Sequence, residues 1–187
     1  MAIDWPTVVT TILGSGVVAA GVTQGITTLR EGAKHKAEAQ AAAQSCAIAL
    51  EQFGAGCAEL VVNLVKFRDS GGALGVVSTN LPTTSALRAN VDLSLLPLSV
   101  ASTLLQFEAA AARASVDLQD TFADDPLELA LSICLRLGES SFDSAAQIRK
   151  KMTLPSDPSQ DLNQRRAYLS EQRERSSGDI GPTCSAH

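Results

Sequence analysis

Residues 5–29 read WPTVVTTILGSGVVAAGVTQGITTL, an uncharged stretch bounded by Asp4 and Arg30. A helix needs about 20 mostly apolar residues to cross a bilayer core. Residues 7–29 meet that length, with Val8, Val9, Ile12, Leu13 and Ile26 among the long aliphatics. Gly14, Gly16, Gly21, Gly25, Gln24 and several threonines make the stretch less apolar than a lipid-only helix. Threonine is tolerated in such a setting because its hydroxyl bonds back to the preceding turn.

The small residues of this stretch fall on one line. Thr7, Thr11, Gly14, Gly21, Gly25 and Thr28 follow a 4-3 spacing interrupted by Val18, and Gly21 with Gly25 forms a GxxxG pair. In lipid, helices associate through close backbone approach, and a polar side chain beside such a face hydrogen-bonds across the pair. Gly14, Gly21, Gly25 and Gln24 are therefore the candidate residues for membrane helix packing. Arg30, Lys34 and Lys36 follow the stretch, whereas Asp4 is the charged side chain before it. Lys and Arg favour the cytoplasmic flank of a span. The expected protein is single-pass, with its C-terminal domain cytoplasmic. The same three cations form a basic cluster suited to anionic lipid headgroups. A cleaved signal peptide fits less well, because the basic n-region it requires is missing ahead of Val18-Ala19-Ala20.

The chain of 187 residues carries a formal charge of −5, with 45% hydrophobic but only 4% aromatic residues. That length suits one domain plus an anchor. Alanine supplies much of the apolar content, which favours closely packed helices. The negative balance argues against a nucleic-acid partner. Cys46, Cys57, Cys134 and Cys184 form no CxxC pair, and neither His35 nor His187 has a second candidate ligand beside it. No metal or other cofactor is expected. The first three cysteines fall on apolar faces, where a free thiol packs as a small hydrophobe; this suits a reducing compartment.

The expected fold class is all-α, divided into a membrane anchor (1–30), a long amphipathic helix (31–69), an irregular connection (70–96), a helical pair completing a small bundle (97–153) and a polar, disordered tail (154–187). The long helix shows a stripe through Ala39, Ala43, Cys46, Leu50, Phe53, Cys57, Leu60, Leu64 and Phe67. Its 4-3 spacing is that of a bundle seam or coiled coil. Core packing is expected from near Leu50, with Gly54 and Gly56 placed for a close helix crossing, and Gly71-Gly72 ends the helix. The connection carries apolar patches at 74–77 and 91–96, which are expected to dock, because long structureless loops are unusual in compact domains. Pro97 opens a helix with the stripe Val100, Leu104, Phe107, Ala111, Ala114, Leu118 and Phe122, and an alanine waist at 109–112 that admits another helix. Asp125, Pro126 and Glu128 spell a capping-box-like start for the next helix. In that helix Gly138, Ser140 and Ser141 are placed to kink or split it, and Arg149, Lys150 and Lys151 complement its C-terminal dipole. The tail offers only Leu162, Tyr168 and Leu169 as apolar anchors, so it reads as disordered, or as a helix that folds on a partner.

No nucleotide-binding, metalloprotease or nucleophile-elbow motif occurs. Glu51, Glu59 and Glu108 read as surface residues, since charges are rarely buried. The thiols lack a neighbouring base or cation that would activate them. No catalytic residue is assigned and no enzymatic activity is expected. The function expected is that of a membrane-anchored helical scaffold or adaptor, with the lipid bilayer and either a further copy or another protein as partners. Two other readings stand beside it: a membrane-perturbing or channel-forming oligomer whose threonine face and Gln24 line a polar path, and an enzyme of unfamiliar type with a site among the helices.

Overall fold

A computed structural model describes residues 16–73, 75–88, 91–119, 125–156 and 159–178, with side chains from Glu31 onward, Ala86 and Arg88 excepted. The regular elements among them are helical: α1 (Gly16–Asp69), α2 (Ser85–Arg88), a 3-10 turn (Leu93–Leu95), α3 (Leu98–Gln119), α4 (Pro126–Met152) and α5 (Gln160–Gly178). The all-α expectation holds, with no strand among the described residues. The chain divides into two compact units, Met1–Ala39 and Gln40–His187.

In the first unit the backbone is helical from Gly16, so Gly21, Gln24 and Gly25 share one turn of α1, while Gly14 lies outside the described residues. Residues 31–38 are exposed on every side of the helix. Lys34 and Glu38 face each other one turn apart at 3.8 Å.

The second unit is built on the apolar stripe of α1. Ala43, Cys46, Ala47, Leu50, Phe53, Cys57, Val61 and Leu64 are buried. Burial thus begins at Ala43, about two turns before Leu50. The small side chains at 43, 46 and 47 belong to one cluster with Val100, Leu104, Phe107 and Ala111 of α3, so they serve close packing ahead of the expected start of the core near Leu50. Phe53 and Phe107 meet edge to face, with centroids 5.2 Å apart and planes at 87°; such pairs add about 0.5–1.5 kcal/mol beyond area burial. A second cluster joins Ala58, Val61 and Leu64 of α1 to Ala130, Leu131, Cys134, Leu135 and Phe142 of α4 and to Leu169 of α5.

Two glycines let α1 and α4 approach. A Cβ on Gly54 would lie 2.5 Å from Ser141 Oγ and 2.8 Å from Phe142 Cε2. One on Gly138 would lie 2.7 Å from Leu169 Cδ1 and 3.1 Å from Cys57 Cβ. Gly54 therefore serves the helix crossing expected of it. Gly56 does not: its open side is taken by Pro82 of the connection, whose Cγ would be 2.9 Å from a Cβ there. Gly138 and Ser141 leave α4 unbroken from Pro126 to Met152. The Ser141 hydroxyl satisfies itself by donating to the Gly138 carbonyl at 2.7 Å.

Asp125 caps α4 by accepting from the Leu127 and Glu128 amides, with Pro126 in the first turn. Glu128 turns outward instead of closing a capping box and accepts from Arg68 Nη1 at 3.1 Å. The connection docks through Leu87 and Leu96, both buried. Leu87 lies outside both expected patches, and Val76, inside one of them, is fully exposed.

The expectation of a disordered tail over 154–187 fails for Gln160–Gly178, which form α5. One leucine and several arginines offset the poor apolar face. Leu169 is 0% exposed, seated in the space that Gly138 leaves. Arg166 donates to Asp143 at 2.6 Å, Arg173 pairs with Glu139, and Arg165 donates to the Ala55 carbonyl at 3.3 Å. Residues 179–187 lie outside the described residues.

Gly54→Ala is expected to destabilise the protein by about 1–2 kcal/mol, since overpacking of about 1–3 kcal/mol exceeds the helix-propensity gain of about 1 kcal/mol. Adding Ser141→Ala, which removes the nearest clashing atom, is expected to recover part of the loss. Gly32→Ala, with nothing within 4 Å of the new carbon, is expected to be neutral or stabilising. Urea unfolding of the three variants checks the ordering.

Candidate functional site

The sequence placed Glu51 at the surface and Arg149 in a cationic helix end. The structure instead brings them together in the interior, where Glu51 is 8% and Arg149 9% exposed. Glu51 follows Leu50 of the α1 stripe, and Arg149 follows Ile148, which is buried on α4, so each borders a buried face. Once the helices cross at Gly54, the two side chains meet. Arg149 Nε donates to Glu51 Oε1 at 2.8 Å, and Nη2 donates to Oε2 at 2.8 Å. This bidentate fork is the strongest geometry available to such a pair. The remaining amine, Nη1, donates to the Pro155 carbonyl at 2.7 Å. Thr153 in the left-handed region (φ 53°) turns the chain after α4 so that Pro155 comes back over the arginine. One guanidinium thus holds α1, α4 and the segment leading to α5.

The pair forms one wall of a cavity of ≈ 350 Å³, whose other lining includes Phe142, Leu162, Asn163 and Arg166. Arg149 is engaged by Glu51, and Arg166 by Asp143. A guanidinium stays protonated at all ordinary pH. The wall therefore offers orientation and hydrogen bonding.

The three described thiols are packed, not poised. Burial pushes the Cys46 thiol from 9.0 up to about 11, with the Glu108 charge adding to the rise. Burial pushes Cys134 up to about 12. It raises Cys57 further still, with a contribution from Cys134. No cluster of three or more potential metal ligands occurs among the described residues.

The sequence-selected membrane residues lie in the first unit. Gly21, Gln24, Gly25 and Arg30 are helical, and Lys34 and Lys36 are exposed. Among the described residues one helix, over Glu31–Asp69, is long and apolar enough to cross a membrane, and 44% of its most apolar window is buried. The apolar stripe of that segment is the one that supplies the core. The Glu51–Arg149 pair escaped sequence reading because its members are 98 positions apart. The available signal was two opposite charges, each next to a large aliphatic residue, Leu50 and Ile148.

Removing one partner of a buried ion pair strands the other charge, at about 3–5 kcal/mol. Glu51→Leu and Arg149→Met are each expected to destabilise on that scale. The Glu51→Leu/Arg149→Met double variant is expected to recover most of the loss, and additive losses in a double-mutant cycle would show that the two groups are not coupled.

The thiols make a separate prediction. They remain protonated in the folded chain above pH 9, where the unfolded chain releases its protons, so stability is expected to fall as pH rises from 9 toward 12. Alkylation of Cys46, Cys57 and Cys134 at pH 8 should occur only at the rate of unfolding, as mass spectrometry of labelled peptides will show. Comparison with protein-family models, curated proteins and solved structures finds no match for this chain.

Proposed function

We propose that the protein is a membrane-anchored helical adaptor: residues 5–29 form a single span, the second unit is cytoplasmic, and it acts by binding protein rather than by catalysis. The observation that carries this reading is that one helix, α1, contains both the C-terminal part of the uncharged stretch and the seam of the helical core. A segment suited to lipid and a segment suited to protein packing belong to one element. The apolar content of Glu31–Asp69 has a use in the core, which leaves residues 5–29 as the stretch whose composition calls for lipid. Lys34 and Lys36, exposed, together with Arg30, supply the positive flank and a contact for anionic headgroups. The Gly21, Gln24 and Gly25 turn supplies a close-packing face between copies.

Full-length protein is expected to pellet with membranes after a carbonate wash and to float with liposomes. Its C-terminus is expected to resist protease in right-side-out cells. Release by carbonate would remove the anchor, and digestion in intact cells would reverse the orientation. Gly21→Leu with Gly25→Leu is expected to leave insertion unchanged while weakening self-association of the span by about tenfold, as close approach is lost.

A further inference from the structure

The cavity beside the Glu51–Arg149 pair lies where three helices converge. Glu51 comes from α1, Phe142 and Lys150 from α4, and Leu162 and Asn163 from α5. Leu154 and Ser156, in the segment leading to α5, close a further side. The volume of ≈ 350 Å³ falls in the range of about 300–1,000 Å³ usual for small-molecule sites. The hydrogen bond of 2.7 Å from Arg149 to the Pro155 carbonyl holds that segment in place.

The groups already used within the chain do not choose the occupant. Glu51 and Arg149 neutralise each other, and Arg166 is paired with Asp143. Lys150, Ser156 and Asn163 choose it. They line the cavity, and their side chains make no hydrogen bond or ion pair with another described residue. One ammonium without a partner calls for one negative charge in the ligand, since hydrogen bonds between charged groups are the strong ones. A hydroxyl and a side-chain amide both donate to an anionic oxygen. The rest of the lining is carbon: Phe142, Ala146, Leu154 and Leu162 supply an apolar floor. A cation is disfavoured there, because Arg149, Lys150 and Arg166 stand against the single carboxylate of Glu51.

We propose that this cavity binds a small organic carboxylate carrying an apolar ring or short chain, with Lys150 and Asn163 on the carboxylate and Phe142, Leu154 and Leu162 around the apolar part. Because its walls come from both α4 and α5, the bound molecule ties α5 to the core in addition to Leu169. The site lies wholly within the second unit, so it stands independently of the membrane span.

The test uses the full chain in lipid nanodiscs, with empty nanodiscs as the blank and phenylacetate as the probe. Phenylacetate is expected to bind saturably in calorimetry or ligand-observed NMR. Phenylacetamide, its neutral isostere, and acetate, which lacks the apolar part, are each expected to bind about tenfold more weakly or less. Phenethylamine, the cationic counterpart, is not expected to compete. Lys150→Gln is expected to weaken phenylacetate about tenfold and leave phenylacetamide unchanged, a split that a merely structural role for Lys150 would not give. Ala146→Phe, which fills the cavity, is expected to abolish binding. At about ten times Kd, phenylacetate is expected to slow amide exchange through opening of α5 about tenfold. Absence of saturable binding at millimolar phenylacetate would overturn the proposal. So would equal affinity for phenylacetamide, undiminished binding by Lys150→Gln, or unchanged exchange in α5 at saturation, which would place the ligand elsewhere. If circular dichroism shows that Ala146→Phe does not fold, Lys150→Gln decides.

Discussion

The close crossing of α1 and α4 is the constraint on which the second unit depends. Helix axes normally pack 8–10 Å apart, at a distance set by the side chains at the contact. Here Gly54 yields its space to Ser141 and Phe142, and Gly138 yields its space to Leu169 and Cys57. The consequences run outward from these two points. Glu51 lies one turn before Gly54, and Arg149 two turns beyond Ser141, so the crossing brings a carboxylate and a guanidinium within 2.8 Å in the interior. Arg149 in turn holds the Pro155 carbonyl, which fixes the path of the chain toward α5. Leu169 then enters the gap at Gly138. A methyl group at either glycine disturbs every later step of this series.

What the sequence made legible was periodicity. The stripes through Cys46, Leu50, Phe53 and Cys57, and through Val100, Leu104 and Phe107, are buried as their spacing implied, because burial along a helix follows from which residues share a face. The Asp125-Pro126 start was legible for a local reason: a cap depends on residues within one turn. Partners distant in the chain were not legible. Glu51 reads as a surface acid until α4 supplies Arg149, and Gly138 reads as a kink until Leu169 arrives to fill it. Leu87 is a single large aliphatic residue between Ala86 and Arg88, with no periodic partner to mark its face, and only the path of the connection shows that it is buried.

The α5 helix shows how little apolar surface an element needs when its partner is already formed. Isolated, a sequence with Leu162, Tyr168 and Leu169 as its apolar residues would not be stably helical. Against α4 it gains one fully buried leucine and ion pairs from Arg166 and Arg173 to Asp143 and Glu139. Surface pairs of this kind contribute at most about 1 kcal/mol each, so the docking rests chiefly on apolar burial, of Leu169 in full and of Leu162 and Tyr168 in part. Composition alone judged the segment against water, whereas the folded chain judges it against a prepared groove.

α3 is the opposite case, with more apolar surface than its docking uses. Its inner face is consumed by the core through Val100, Leu104, Phe107, Ala111 and Ala114, and a helix needs only one such face to be held. Stability of the second unit therefore does not explain Leu98, Leu105 and Val116 on the other side. Alanine at 109, 110 and 112 would satisfy helix propensity at an exposed site, but Leu98 and Val116 add nothing there that a lysine or glutamate would not.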